Sequence, residues 1–269
     1  MKYRLRLILP IGFLALMLFS GCDHNSEKLV RAFTPPEDEA KATNYISQLR
    51  QGRFDQIQKD MDASITDADT HSTLVRMAGL IPSQDPISIK VVGANSLRSQ
   101  GSYKINLSFE YQFPTNWLLI NVALQQKAGV STIYGFHVQP MSDSLEHYNR
   151  FTLAGKSMFQ YAVLLLAFVV PIFSLYVLLL CIRTKMKKRK WLWILFILCG
   201  LGKITMDWTT GQWELGLLQI QLLGAGVFAP PFGAWLITVS APLGAIVFLL
   251  RRKKLTASTE PLIIESSSP

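Results

Sequence analysis

Residues 102–113 read SYKINLSFEYQF, and this stretch decides the fold of the first half of the chain. Its aromatic and aliphatic residues stand at every second position from Tyr103 to Phe113, and polar residues such as Lys104 and Glu110 alternate with them. A period of two places successive side chains on opposite faces of a strand. The stretch therefore predicts a long β-strand with one buried face and one polar face.

The segments on either side of this strand predict the rest of one domain. Alternation continues in three further predicted strands, at residues 87–92, 116–127 and 130–139. Before them, apolar residues recur at helical spacing in three predicted helices. The first begins near Pro35, the second begins at Phe54, and the third covers residues 70–80. Helices followed by a run of strands predict an α+β domain over residues 35–140, with the helices packed on one face of an antiparallel sheet.

The helical part of this domain resembles a known superfamily. Residues 45–55, YISQLRQGRFD, look like the helix-turn-helix opening of secreted members of the nuclear transport factor-like superfamily. The resemblance covers residues 35–140 and implies a cone-shaped fold, in which a helical hairpin closes over a strongly curved antiparallel sheet. Members include enzymes, small-ligand binders and assembly modules, so the resemblance implies no single function.

The composition of the whole chain points to a membrane. Of its 269 residues, 49% are apolar and only 17% are charged, whereas about 25% of residues are charged in soluble domains. This composition excludes a disordered chain, a collagen and a coiled coil, and three cysteines are too few for a disulfide framework. The net charge of +9 fits either a nucleic-acid surface or basic residues placed by membrane topology.

The positions of the charges decide between these two explanations. Residues 23–157 contain 13 basic and 14 acidic residues, so this segment is almost neutral. The basic excess lies near the amino terminus, in the sequence RTKMKKRK at residues 183–190, and in the tail 251–269. We therefore expect a membrane protein whose basic segments face the cytoplasm, and no nucleic-acid partner.

Three transmembrane helices are predicted in the second half of the chain. Residues 159–182 carry no charge and are long enough to span a bilayer. Shorter apolar runs predict two more spans, at residues 191–206 and 232–250. With three crossings, residues 207–231 are periplasmic, and their apolar part, 215–228, is predicted to be re-entrant or to lie at the membrane interface.

The amino terminus is a predicted secretory signal peptide. Residues 1–21 have a basic head and a short apolar stretch. The sequence Leu18-Phe19-Ser20-Gly21-Cys22 resembles the lipobox of bacterial lipoproteins, which implies cleavage before Cys22 and acylation of its thiol. Asp23 resembles the signal that retains lipoproteins in the inner membrane. Residues 22–34 would then be a lipidated tether and 141–158 a linker, whereas the alternative is an uncleaved helix ending in a buried thiol.

The densest group of potential metal ligands lies before the third predicted helix, at Asp62, Asp67, Asp69 and His71. A calcium loop would need a central glycine and a closing glutamate, and neither is in register. We therefore expect a polar loop that caps the helix beginning at Thr70, and we predict no metal site.

One histidine is a candidate acid or base. His137 would lie beside Glu110 or Asn121 if the strand register allows it, although a solvent-facing position explains it equally well. The chain lacks the sequence signatures of common hydrolases, metalloproteases, nucleotide-binding proteins and thiol redox proteins. We therefore predict no catalytic residue and no cofactor.

These patterns favour a non-catalytic inner-membrane lipoprotein whose periplasmic domain binds a partner protein or a small ligand. The alternative is a periplasmic enzyme with a pocket between helices and sheet, in which His137 acts as acid or base. A signalling or accessory subunit is a third hypothesis. Anionic lipid head groups are the predicted contacts of six basic residues in the first cytoplasmic loop: Arg183, Lys185, Lys187, Lys188, Arg189 and Lys190.

Overall fold

The computed structural model describes residues 23–99, 101–127, 129–184, 186 and 189–257. Within it the chain divides into two compact units, Met1–His147 and Tyr148–Pro269, called here the N-terminal and C-terminal units. The predicted signal peptide, Cys22 and the tail after Ala257 lie outside the described residues.

Helices form the first part of the N-terminal unit: α1 (Asp23–Ala32), α2 (Pro36–Arg50), α3 (Phe54–Lys59) and α4 (Thr70–Gly79). Most of the predicted tether is therefore helical. Pro36 opens α2, and three acidic residues follow in its first turn, where they face the positive end of the helix dipole. Gly52 adopts a φ of +70°, which lets the chain turn into α3.

A four-stranded antiparallel sheet follows, in the order β1-β2-β3-β4: β1 (Ser88–Ser99), β2 (Ser102–Gln112), β3 (Trp117–Lys127) and β4 (Val130–Met141). The prediction of an α+β domain with helices before an antiparallel sheet is confirmed. A short helix, α5 (Leu145–Tyr148), crosses the boundary between the units.

One face of this sheet forms the core of the N-terminal unit. The apolar positions of β2 and β3 that the alternation predicts to be buried are at most 2% exposed: Ile105, Leu107, Phe109, Tyr111, Leu118, Ile120, Val122 and Leu124. Helix α2 packs on β2 and β3 and buries Ala42, Ile46 and Leu49. The opposite sheet face carries the polar residues of the same strands.

The C-terminal unit combines three helices with a second antiparallel sheet. Its elements are α6 (Met158–Arg183), α7 (Lys190–Leu198), β5 (Cys199–Asp207), β6 (Trp213–Leu222), β7 (Ala225–Phe228), β8 (Leu236–Ala241) and α8 (Leu243–Ala257). The strand order is β6-β5-β8-β7. The sheet packs on the first half of α6, around Val163 and Val170. Helices α7 and α8 pack on its second half, around Val177 and Cys181.

The prediction of three transmembrane helices is wrong. Among the described residues, α6 alone is a helix long and apolar enough to cross a membrane, and it covers the first predicted span. The second predicted span, 191–206, is helical only to Leu198 and continues as β5. The third, 232–250, contains β8 before α8 begins. An unbroken apolar run fits a buried strand as well as a helix, so its periodicity cannot separate the two.

The predicted re-entrant or interfacial segment, 215–228, forms most of β6 and all of β7. These strands are joined by Leu223 and Gly224, both with positive φ. They nevertheless stand at opposite edges of the sheet, because β6 pairs with β5 and β7 pairs with β8. The segment is therefore part of a sheet and not a helical hairpin.

Candidate functional site

A cleft of about 910 Å³ opens between the first turn of α2 and the hairpin that joins β1 to β2. Glu37, Asp38 and Lys41 line it from α2, and Arg98 and Tyr103 line it from the hairpin. Tyr103 stands two positions before the buried Ile105, so it lies on the core face of the sheet. The cleft therefore lies between the helices and the sheet.

Strand register places the residues on the sheet side of the cleft next to one another. Arg98 pairs with Tyr103 across β1 and β2, and Tyr103 pairs with Gln126 on β3, so the three side chains form one row. Gly101, in the hairpin turn, has a φ of +77°, which favours glycine. The helix side is fixed by Pro36, whose ring presets the backbone of the first helical turn.

A hydrogen bond joins the two walls of the cleft. The hydroxyl of Tyr103 donates to Oδ2 of Asp38 over 3.1 Å. Burial raises the pKa of Tyr103, and the hydrogen bond and the negative charge of Asp38 raise it further. The guanidinium of Arg98 stands 5.0 Å from the centroid of the Tyr103 ring. At neutral pH Tyr103 is therefore a neutral hydrogen-bond donor with a cation against its ring.

The cleft offers charges of both signs to a ligand. Lys41 and Arg98 supply cations, and Glu37 and Asp38 supply carboxylates. Sites with a few convergent polar groups fix the orientation of a ligand. These groups suit a polar molecule or a peptide segment that carries both charges. The sequence does not reveal the cleft, because Asp38 and Tyr103 stand 65 positions apart.

A buried carboxylate lies on the other face of the sheet. Glu110 is 3% exposed, and its Oε2 accepts the backbone N–H of Leu145 over 2.6 Å. Its Oε1 has no hydrogen-bond partner among the described residues. Burial raises the pKa of Glu110, while the Leu145 N–H and the positive charge of Lys90 lower it. Sequence alternation places Glu110 on the polar face, but only the arrival of α5 buries it.

His137 is exposed, and the register places it opposite Asn121, not Glu110. Asn121 is already engaged, because its Oδ1 accepts the hydroxyl of Ser108 over 2.6 Å. Within the described part of the chain, the side chain of His137 makes no hydrogen bond and no ion pair. The geometry therefore gives the hypothesis of His137 as acid or base no partner for proton transfer.

The aspartates before α4 form a polar loop. Asp62 Oδ1 accepts the backbone N–H and the hydroxyl of Ser64, and these bonds lower the pKa of Asp62. Asp67 Oδ1 accepts the hydroxyl of Thr70, the first residue of α4. The described residues contain no group of three or more His, Cys, Asp or Glu side chains placed to hold a metal.

Three residues of the predicted lipid-contact set have described positions. Arg183 ends α6, Arg189 adopts a left-handed φ of 59°, and Lys190 begins α7. The ammonium of Lys190 donates to the carbonyl of Ile182. Lys185, Lys187 and Lys188 lie outside the described residues, as does the side chain of Asp23.

No protein-family model, curated protein or solved structure matches this chain. The resemblances to the nuclear transport factor-like superfamily and to the bacterial lipobox therefore stay predictions.

Proposed function

We propose that this chain is a non-catalytic lipoprotein of the bacterial inner membrane whose N-terminal unit binds a partner protein or a small polar ligand outside the cytoplasm. The observation that carries the binding role is the cleft between α2 and the β1–β2 hairpin, which is open and is lined by charged side chains of both signs. The Tyr103 to Asp38 hydrogen bond holds its two walls together.

Membrane attachment rests on two parts of the chain. Helix α6 has 26 residues and a mean hydropathy of 2.9 over its best window, which suits a membrane span. Acylation of Cys22, followed by retention through Asp23, would add a second anchor before α1. Both anchors would place the intervening N-terminal unit on the outer side of the inner membrane.

The orientation is supported by where the basic residues lie in the C-terminal unit. Met186, in the loop after α6, and Leu255, near the end of α8, pack on the same apolar cluster. The basic residues described near them, which include Arg183 and Arg189 on one side and Arg251 on the other, therefore lie at the same end of this unit. Positive residues concentrate on the cytoplasmic side, so this end faces the cytoplasm and can contact anionic lipid head groups.

Photo-crosslinking in cells tests the binding role. Benzoylphenylalanine replaces Arg98 in the cleft in one full-length variant and Lys104, on the opposite sheet face, in the matched control. Irradiation should give a discrete adduct from position 98, identified by its mass, and at most a weak one from position 104. Equal adducts from both positions, or no adduct from position 98, would show that the cleft is not the binding site.

A second candidate is an enzyme that acts in the same cleft. The Tyr103 to Asp38 pair favours it, because a hydroxyl bonded to a carboxylate can transfer a proton. A Tyr103→Phe variant separates the two proposals. With binding alone, the bound molecule stays chemically unchanged in the parent chain and in the variant, whereas an enzyme would convert it in the parent chain and lose that turnover in the variant.

A further inference from the structure

The C-terminal unit has aromatic side chains at both ends of α6. At the first end, the ring of Phe159 lies 5.8 Å from that of Trp213, and Phe159, Tyr161 and Trp213 are 45%, 37% and 57% exposed. At the other end, Trp191 follows the basic loop and is 65% exposed. Aromatic belts mark the two membrane interfaces. Residues 161–182 of α6 span about 32 Å, close to the roughly 30 Å of bilayer hydrocarbon.

The chain returns along the whole height of α6. Lys190 at the start of α7 contacts the carbonyl of Ile182, and the carbonyl of Trp208 just after β5 accepts the Gln160 side-chain amide over 2.9 Å. Helix α7 and then strand β5, one after the other, therefore extend from one end of α6 to the other. The sheet lies beside the first half of α6, which is the half before Pro171.

Apolar side chains cover the outside of the unit at the level of the sheet. On α6, Leu165 and Ile172 are each 64% exposed. On β6, Leu217, Leu218 and Ile220 are 71%, 95% and 72% exposed. Exposed apolar surface of this extent marks an interaction site.

Two polar side chains of the same sheet bond to each other, whereas Gln221 Oε1 and Ser240 Oγ are buried without a hydrogen-bond partner among the described residues. The amide of Gln221 donates to the hydroxyl of Thr238 over 2.5 Å, and that hydroxyl donates to the carbonyl of Gly226 over 3.0 Å. Polar groups that pair internally and apolar groups that face outward are the distribution expected in hydrocarbon.

We propose that the sheet of the C-terminal unit lies in the outer half of the bilayer and that β6 contacts phospholipid acyl chains through Leu217, Leu218 and Ile220. This proposal rests on the proposed crossing by α6. If α6 spans the membrane, the strands packed on Val163 and Val170 lie at hydrocarbon depth. The exposed side chains of β6 then continue the apolar surface of α6.

The free edge of β6 is the costly part of this arrangement, since hydrocarbon cannot hydrogen-bond a strand edge. Residues 217–219 bulge opposite Gly202, which shortens the regular ladder and leaves backbone groups of this stretch without ladder partners. The side-chain amide of Gln219 lies against Gly216, where an added Cβ would stand 2.7 Å from Gln219 Cδ, so it brings one donor and one acceptor to this part of β6.

Photo-crosslinking to lipid tests the proposal. Benzoylphenylalanine replaces Leu218, Ile172 or Asn106 in three full-length variants, each in vesicles of phosphatidylethanolamine and phosphatidylglycerol. Ile172 reports the lipid contact of α6, and the exposed Asn106 of the N-terminal unit reports water. The phospholipid adduct at position 218 should be within about twofold of that at position 172, and about tenfold above that at position 106.

Three other results have distinct meanings. A lipid adduct at position 172 without one at position 218 overturns the proposal and leaves the α6 crossing intact. A covalent dimer from position 218 shows that a second copy covers β6, which also overturns it. If neither position gives a lipid adduct, the proposed crossing by α6 is contradicted as well. Leu217→benzoylphenylalanine repeats the test if the variant at position 218 is poorly produced.

Discussion

Both units contain a four-stranded antiparallel sheet that buries apolar side chains against helices, yet the two sheets expose different side chains to their surroundings. In the N-terminal unit, Phe109 and Ile120 are at most 1% exposed, and the free face of the sheet is polar. In the C-terminal unit, Leu217 and Leu218 are more than 70% exposed, and Gln221 turns towards Thr238. One backbone architecture therefore occurs with two distributions of polarity.

This difference fits the surroundings that we propose for each unit. In water, burial of apolar surface stabilises a fold. In hydrocarbon, polar groups must be paired within the protein, and an exposed leucine costs no free energy. The four predictions that follow compare matched positions in the two sheets, or in the contacts that support them.

The largest expected effect comes from the core of the N-terminal unit. Phe109→Ala should lower the free energy of unfolding by about 3–5 kcal/mol, because it leaves a cavity at a side chain that is 1% exposed. Urea unfolding of the full chain in micelles, followed by hydrogen exchange of residues 102–127, measures it. Leu218→Ala is the control and should cost about 0.5 kcal/mol or less. Similar losses in both variants would remove the contrast between the sheets.

The second effect tests how closely α7 and α8 approach. An added Cβ at Gly244 would stand 1.8 Å from the carbonyl oxygen of Phe196, so Gly244→Ala must move backbone. We expect a loss of about 1–3 kcal/mol, seen as a lower midpoint of thermal unfolding in micelles. Gly79→Ala in α4 is the control, because nothing lies within 4 Å of its added Cβ. A neutral Gly244→Ala variant would show that the two helices are further apart.

The third effect depends on pH. Because the pKa of Glu110 is raised in the folded state, ionising it costs stability above that pKa, and the cost disappears as the pH falls through its ordinary value near 4.5. Glu110→Gln should therefore stabilise the N-terminal unit at pH 7 by about 1 kcal/mol, since an amide oxygen still accepts the Leu145 N–H.

Thermal unfolding at pH 7 and pH 4 checks this prediction. The gain from Glu110→Gln should shrink at the lower pH. Glu37→Gln, at an exposed carboxylate, should show no gain at either pH. A gain for Glu110→Gln that is equal at both pH values would contradict the assignment of Glu110 as a carboxylate whose burial is costly.

The smallest effect concerns the wall of the cleft. Tyr103→Phe removes the hydrogen bond to Asp38 and should cost about 0.5–1.5 kcal/mol. Tyr45→Phe is the matched control, because Tyr45 donates to Asp60 Oδ2 over 3.0 Å in the same unit, away from the cleft. Both variants should lose similar stability by urea unfolding, but only Tyr103→Phe should alter crosslinking from position 98. An unchanged crosslink would show that the hydrogen bond from Tyr103 to Asp38 does not contribute to binding.

The fold of the N-terminal unit could be predicted from the sequence because its strands and its helices show different spacings of apolar residues. Alternation from Tyr103 to Phe113 and helical spacing from Ile46 to Leu49 each fit only one kind of element. In the C-terminal unit the apolar runs 191–206 and 232–250 have no clear period, so the sequence predicts helices where β5 and β8 lie. Its apolar residues face outward as well as inward, which removes the pattern on which such predictions depend.

The candidate site could not be predicted, because it depends on contacts between distant segments. Nothing near Asp38 in the sequence indicates that Tyr103 will reach it. Glu110 stands among regular polar positions of its strand, and its burial depends on Leu145, 35 residues later. His137, chosen for its chemistry alone, lies in solvent.

Hydroxyl-radical footprinting of the full chain in lipid nanodiscs tests most directly whether the two sheets meet different surroundings. Leu97 on β1 is 64% exposed and Leu217 on β6 is 71% exposed, so the two leucines present similar surface. The account predicts that Leu97 is oxidised at the rate of a water-exposed leucine and that Leu217 is protected by lipid. Equal oxidation of Leu97 and Leu217 would contradict it.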